Sequence, residues 1–285
     1  MSITSSAVLV ELNLSVWTAN KLDKRASSGL VSEANAVYDA AVVRKNLMAG
    51  TSKRKAISDY AANCRLWHNT RTLPWADRGA RLLPTSMFME YKSEANIRRD
   101  TFNAMVDDFK AHYPALVQTA NNYLGTLFDA ADYPDVSELE DKFNFRLVFS
   151  PVPDSGDFRL DIAQQDLAQI QKDYEANFND RIADAMREPW EKLHSMVSRM
   201  SEKLTDVEGD DETKKRYHDS LVTNPIELCD LLGHLNITKD PELERARVEL
   251  KHVMEGTNIE VIKNSSDERR EVKEKLDQIL KQYSW

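Results

Sequence analysis

Apolar and polar side chains alternate near the start of the chain. Val8, Val10, Leu12, Leu14 and Val16 fall on one side, and Leu9, Glu11, Asn13 and Ser15 on the other. A period of two sets one face against a core, so the pattern predicts a strand near 8–16. The same alternation returns in Phe143, Phe145, Leu147 and Phe149 and, after the turn Pro153-Asp-Ser-Gly156, in Phe158, Leu160 and Ile162. Two such runs around turn residues predict a hairpin with strands near 143–150 and 157–162. A lone hairpin is marginal in water, so the strand near 8–16 is expected to join it in a three-stranded antiparallel sheet.

Elsewhere the period is helical. Ser32-x-x-Asn35 opens a segment with Val37, Tyr38, Ala41 and Val42 on one stripe, and a second helix is expected from about Ser52 to Trp67. Residues 69–84 have no period and two prolines, so they are read as a loop. Phe88, Tyr91, Ala95, Phe102, Met105, Val106, Phe109 and Tyr113 mark a long helix, and Pro114 suits the first turn of another. The longest seam runs from Leu167 through Ile170, Tyr174, Phe178, Ile182, Met186, Trp190, Leu193, Val197 and Met200 to Leu204. It stays in phase across Pro189, which predicts one long kinked helix of about 60 Å.

The acidic stretch 206–212 reads as a linker between a body over 1–205 and a helical C-terminal region over 212–285. In that second region Asn224-Pro and Asp240-Pro look like helix starts, and Ser265-x-x-Glu268 is a capping box. The expected fold is α+β and predominantly helical, a helical body with a small antiparallel sheet.

Composition narrows the function classes. With 41% hydrophobic and 30% charged residues among 285, the chain is too apolar for disorder. No apolar run approaches the ~20 residues of a bilayer span, and no secretory leader is evident, so the reading places the protein in the cytoplasm without a membrane partner. Cys64 and Cys229 lack a neighbouring thiol and are read as reduced. The net charge of −9 hides a division: residues 1–130 carry 16 Lys+Arg against 12 Asp+Glu, and residues 131–285 carry 22 against 35. Such a split points to two surfaces with different partners or to head-to-tail self-association.

Motifs for chemistry are missing. There is no glycine-rich phosphate loop, no H-E-x-x-H, no G-x-S-x-G and no calcium loop in register with 206–217, so no catalytic residue, metal ligand or cofactor is assigned. One segment stands out. Residues 53–81 carry Lys53, Arg54, Lys55, Arg65, Arg71, Arg78 and Arg81 together with Trp67, His68 and Trp75. Arginines interleaved with aromatic rings can stack on bases and hold phosphates, or anchor an acidic protein. Equally, the two tryptophans can pin the segment to the core while the arginines pair with the acidic half.

The last helix offers a second candidate surface. Val272, Leu276, Ile279 and Tyr283 recur at spacings of four, three and four on an otherwise charged rod. That seam must be covered by the protein's own body, by a second copy or by a foreign partner.

The opening Leu12-x-Leu14-Ser15-x-Trp17-x-x-x-Lys21, with Leu232-x-x-Leu235-Asn236-Ile237 and Asp240-Pro-Glu-Leu243, resembles a family of uncharacterised phage and prophage proteins. Members of that family are often encoded beside MoxR-type AAA+ ATPases and von Willebrand A domain proteins. The resemblance implies a phage protein in the host cytoplasm, with an AAA+ ATPase or a host protein as partner. Together these readings favour a non-enzymatic adaptor or effector acting through protein contacts, with self-assembly into a homo-oligomer. A nucleic-acid-binding accessory protein using 53–81 is the alternative, and an unrecognised hydrolase comes third.

Overall fold

The computed structural model describes residues 3–76, 79–153, 164–205, 217–283 and 285. In chain order its regular elements begin with a single-turn helix α1 (Ile3–Ser6), strand β1 (Ala7–Ser15), strand β2 (Asn20–Leu22), helix α2 (Lys24–Glu33) and strand β3 (Arg44–Asn46). Helix α3 (Lys53–Arg71), strands β4 (Leu73–Pro74) and β5 (Arg81–Pro84), helix α4 (Phe88–Leu124) and strand β6 (Asn144–Ser150) follow. The remainder is helical: α5 (Gln164–Leu204), α6 (Ser220–Leu235), α7 (Pro241–Glu255), α8 (Ile259–Asn264) and α9 (Ser266–Gln282).

The fold is predominantly helical with a small antiparallel sheet, as the periodicity predicts. The sheet has four strands rather than three, in the order β4-β5-β1-β6, and β2 and β3 form a separate two-stranded ribbon. β1 neighbours β6, the first arm of the predicted hairpin. The Asp154–Gly156 part of the turn and the strand near 157–162 lie outside the described residues. The other neighbour of β1 is β5, antiparallel with Ala7 opposite Pro84 and Val10 opposite Arg81. That strand comes from the stretch read as a loop. Leu82 and Leu83 are both fully buried, so β5 shows no alternation, and four residues are too few to display a period.

Three helix boundaries also move. Asp23, not Ser32, caps the second helix, its carboxylate accepting the Ala26 amide, and α2 is finished where Asn35 takes a left-handed φ of 52°. α4 continues through Pro114, and α6 starts at Ser220 with Pro225 inside it. A proline removes one amide donor from a helix, and a buried seam on both sides of it outweighs that loss. In α4 the seam runs through Tyr91, Phe102, Phe109 and Tyr113 to Ala120, and in α6 Leu221 and Pro225 are themselves buried. α5 is likewise a single helix across Pro189. The predicted caps at Asp240 and Ser265 are present, with their side chains accepting the Leu243 and Glu268 amides respectively.

The chain packs as two units. One comprises Met1–Glu11, Thr70–Met89 and Phe149–Trp285, and its core joins Leu193, Val197, Met200 and Leu204 of α5 to Leu232, Leu250, Met254 and the α9 seam. Helices on both sides of residues 206–212 thus share one core, although the acidic stretch reads as a boundary. The other comprises Leu12–Asn69 and Glu90–Val148, centred on Ile57 and Ala61 of α3 and Phe102, Val106, Phe109 and Tyr113 of α4.

Candidate interaction surface

The basic segment is divided between the two units, residues 53–69 in one and 70–81 in the other. In the α3–α4 unit Trp67 is buried and stacks on Tyr91, with ring centroids 4.5 Å apart and planes 21° apart. The Arg98 guanidinium lies 4.7 Å from the Trp67 centroid, and the Glu94 carboxylate and the Asn63 amide oxygen hold it there. His68 is buried with Nδ1 2.6 Å from the Tyr91 hydroxyl. Arg65 donates to the Leu14 carbonyl at 2.8 Å and Arg54 to the Trp17 carbonyl at 3.2 Å. Lys53 pairs with Asp108 and Lys55 with Asp59.

In the other unit, Arg71 closes α3 and Trp75 is buried, meeting Phe178 edge-on at 5.3 Å with Arg181 5.6 Å from its ring. Arg81 donates to the hydroxyl and carbonyl of Thr72 and pairs with Glu188 at 3.2 Å. Arg78 lies outside the described residues. Stacking on bases needs an exposed ring face, and here both tryptophans are engaged within the fold.

The α9 seam is also covered from within. Val272, Leu276, Ile279 and Tyr283 are all buried in the core built on α5 and α7, and burial pushes the Tyr283 hydroxyl up to about 12. Ser201 of α5 donates to Asp277 on the flank of that seam. Of the three occupants the spacing allows, the protein's own body is the one present.

Among the described residues no group of three His, Cys, Asp or Glu side chains is placed to hold a metal. Burial raises the Cys64 thiol and pushes Cys229 up to about 11, far from a nucleophile's range. A hollow of about 420 Å³ lined by Trp75, Arg81, Arg181 and Asp184 brings cations and carboxylates together, with Arg81 on Glu188 and Asp184 on Arg187.

The feature that the periodicity misses is an arm. In the ribbon Asn20 pairs with Asn46, Lys21 with Lys45 and Leu22 with Arg44, and residues 23–43 leave it and return as a closed excursion. Its base is tied by the Asp23 amide on the Val43 carbonyl (2.9 Å), the Val43 amide on Ser27 Oγ (2.9 Å) and Ser27 Oγ on the Asp23 carbonyl (2.6 Å). Beneath it Lys45 is buried against Asp132, with Asp23 at 3.6 Å and the Leu127 carbonyl at 2.8 Å. Lys21 reaches the other oxygen of Asp132 at 2.6 Å. Hydrogen bonds from both lysines outweigh the burial that would raise Asp132, and hold it below its usual value.

The arm's free end is structured as well. Left-handed Asn35 lets the Ala36 amide reach the Val31 carbonyl and its own amide reach Ser32, closing α2 with both bonds of a Schellman turn. A further turn links the Ala40 amide to the Val37 carbonyl. Val31 is the buried anchor of α2, whereas Val37, Tyr38 and Val42 are 70%, 89% and 64% exposed. The sequence places Val37, Tyr38 and Val42 on one apolar stripe, which predicts burial, and the structure turns all three outward. The alanines at 34, 36, 40 and 41, too small to anchor a helix, are the one local signal against the stripe. No family model, curated protein or solved structure matches this chain.

Proposed function

We propose that the protein is a non-enzymatic interaction protein, an adaptor or effector, and that residues 23–43 are its contact element. The observation that carries this is Tyr38, 89% exposed on a loop whose base and tip are hydrogen-bonded. Leaving apolar surface in water forgoes about 25 cal/mol per Å², so an ordered apolar tip favours association. Tyrosine is enriched at interface hot spots, and a loop already held in shape loses little entropy on binding. The resemblance noted above adds a setting: a phage protein in the host cytoplasm, with a MoxR-type AAA+ ATPase or a host protein as partner.

The experiment is affinity capture from cells producing the protein, with the wild type and Tyr38→Asp in parallel. Each specific contact is then rebuilt from purified components. The expected result is a contact that weakens about tenfold or more in the variant while its melting temperature is unchanged. Equal retention by both proteins would overturn the reading.

A further inference from the structure

We infer that the hollow between the β4–β5 ladder and α5 is a binding site for a small phosphate ester, with Arg181 as its leading anion contact. The inference goes beyond the interaction reading and makes no use of the arm.

The site lies within one unit. Pro74 pairs with Arg81 across β4 and β5, so Trp75 leaves the ladder next to Arg81. Arg181 and Asp184, three residues apart on α5, share the helix face that lines the hollow. Its volume of about 420 Å³ suits a small organic molecule.

The charges there are not balanced from within. Asp184 lies 3.0 Å from Arg187, and Glu188 pairs with Arg81 at 3.2 Å and with Lys192 at 2.7 Å. Arg181 is exposed and has no ion pair or hydrogen bond with a described residue. Asp180, its neighbour in the chain, is not among the groups lining the hollow. What positions Arg181 is the Trp75 ring, 5.6 Å from its guanidinium carbon and itself packed on the edge of Phe178. A guanidinium stacked on an aromatic face keeps its N–H fork free for an oxyanion. Arg81 is preset as well, because Thr72 and Glu188 hold it.

Phosphate fits two guanidiniums better than carboxylate does. A phosphate ester presents three terminal oxygens and about two negative charges, whereas a carboxylate presents two oxygens and one charge. Asp184 is an acceptor only, and it suits the hydroxyl or amino hydrogens of the organic part.

The test is calorimetric titration of the full chain with adenosine monophosphate, glycerophosphate and inorganic phosphate, against adenosine, glycerol and succinate. The variants are Arg181→Gln, Arg99→Gln as an equal charge change in the other unit, and Tyr38→Asp. These three side chains are exposed, and thermal melts verify that each variant stays folded. Expected is saturable one-to-one binding of at least one ester that high salt weakens and Arg181→Gln weakens about tenfold or more. Arg99→Gln and Tyr38→Asp should bind as the wild type does, so this site and the arm succeed or fail separately. Phenylglyoxal, which modifies accessible arginines, should spare Arg181 when the ester is bound. No saturable binding of any phosphate compound overturns the inference, as does equal binding by Arg181→Gln. Succinate bound as tightly as the esters overturns the assignment to phosphate.

Discussion

Lys45 Nζ and the Asp132 carboxylate form an ion pair whose side chains are only 7% and 5% exposed, directly beneath the base of the arm. The cation fixes the β2–β3 ribbon to the segment after α4, with Asp23 and Lys21 as its outer members. Removing one member leaves a poorly solvated charge behind. Lys45→Met should therefore destabilise the protein by about 2 kcal/mol, less than the ~3–5 of a fully enclosed pair because half-exposed Lys21 still neutralises Asp132. Urea melts measure the loss, and amide exchange should rise at 23–43 as the arm's base loosens. Unchanged stability would mean that the pair contributes nothing net.

The same cluster sets a pH dependence. Asp23 is held below its ordinary 3.8 chiefly by the Ala26 amide, and Asp132 by its two lysines against the opposing effect of burial. A depressed carboxylate stabilises the fold above its unfolded value and loses that contribution as pH falls through its folded value. Lys45 is raised, chiefly by its hydrogen bond to Asp132, so its contribution is complete below about 10.5 and is lost as pH climbs past its folded value. The stability gap between wild type and Lys45→Met should therefore be widest near neutral pH and narrow below pH 4. Parallel acid titrations of both proteins show whether it does.

Trp67 is a packing residue in this structure. Trp67→Ala removes the ring stacked on Tyr91 and under Arg98, and should cost about 3–5 kcal/mol in chemical denaturation. A short single-stranded oligonucleotide should show no binding that weakens with salt. Binding with a clear salt slope, lost on mutating Arg54 and Arg65, would restore the nucleic-acid reading.

Leu276 is fully buried between α9 and the rest of its unit. Leu276→Asp introduces an unpaired carboxylate there and should cost about 4 kcal/mol or more, unfolding part of the protein even as a monomer. A seam reserved for assembly would instead leave the monomer's melt unchanged.

Both thiols should be inert in the native state. Cys64 and Cys229 are buried with raised pKa values, so iodoacetamide at neutral pH should label them only after denaturation. Rapid native labelling of either would show that its helix opens.

Local rules suffice where the information lies within a turn or two of chain. The alternation of Val8, Val10, Leu12 and Leu14 marks β1, the seam from Leu167 to Leu204 marks α5, and Asp240 and Ser265 announce the next starts. These features follow from side-chain period and from amides that need a nearby acceptor, and sequence by itself determined them. Short elements escape, because four residues at β5 carry no period. Helix boundaries at Pro114 and Pro225 escape because distant packing overrides a local break.

Which apolar faces are closed and which remain open was decided only by the tertiary structure. Trp67 is closed by Tyr91 and Arg98 from α4, Trp75 by Phe178 of α5, and the α9 seam by α5 and α7. Tyr38, on an equally apolar stretch, stays 89% exposed. Apart from the small alanines around Tyr38, nothing within a few residues of these side chains distinguishes them, because burial is a property of partners that lie 24 to more than 100 positions away. The candidate surface thus became visible only when the chain's long-range contacts left the arm outside them.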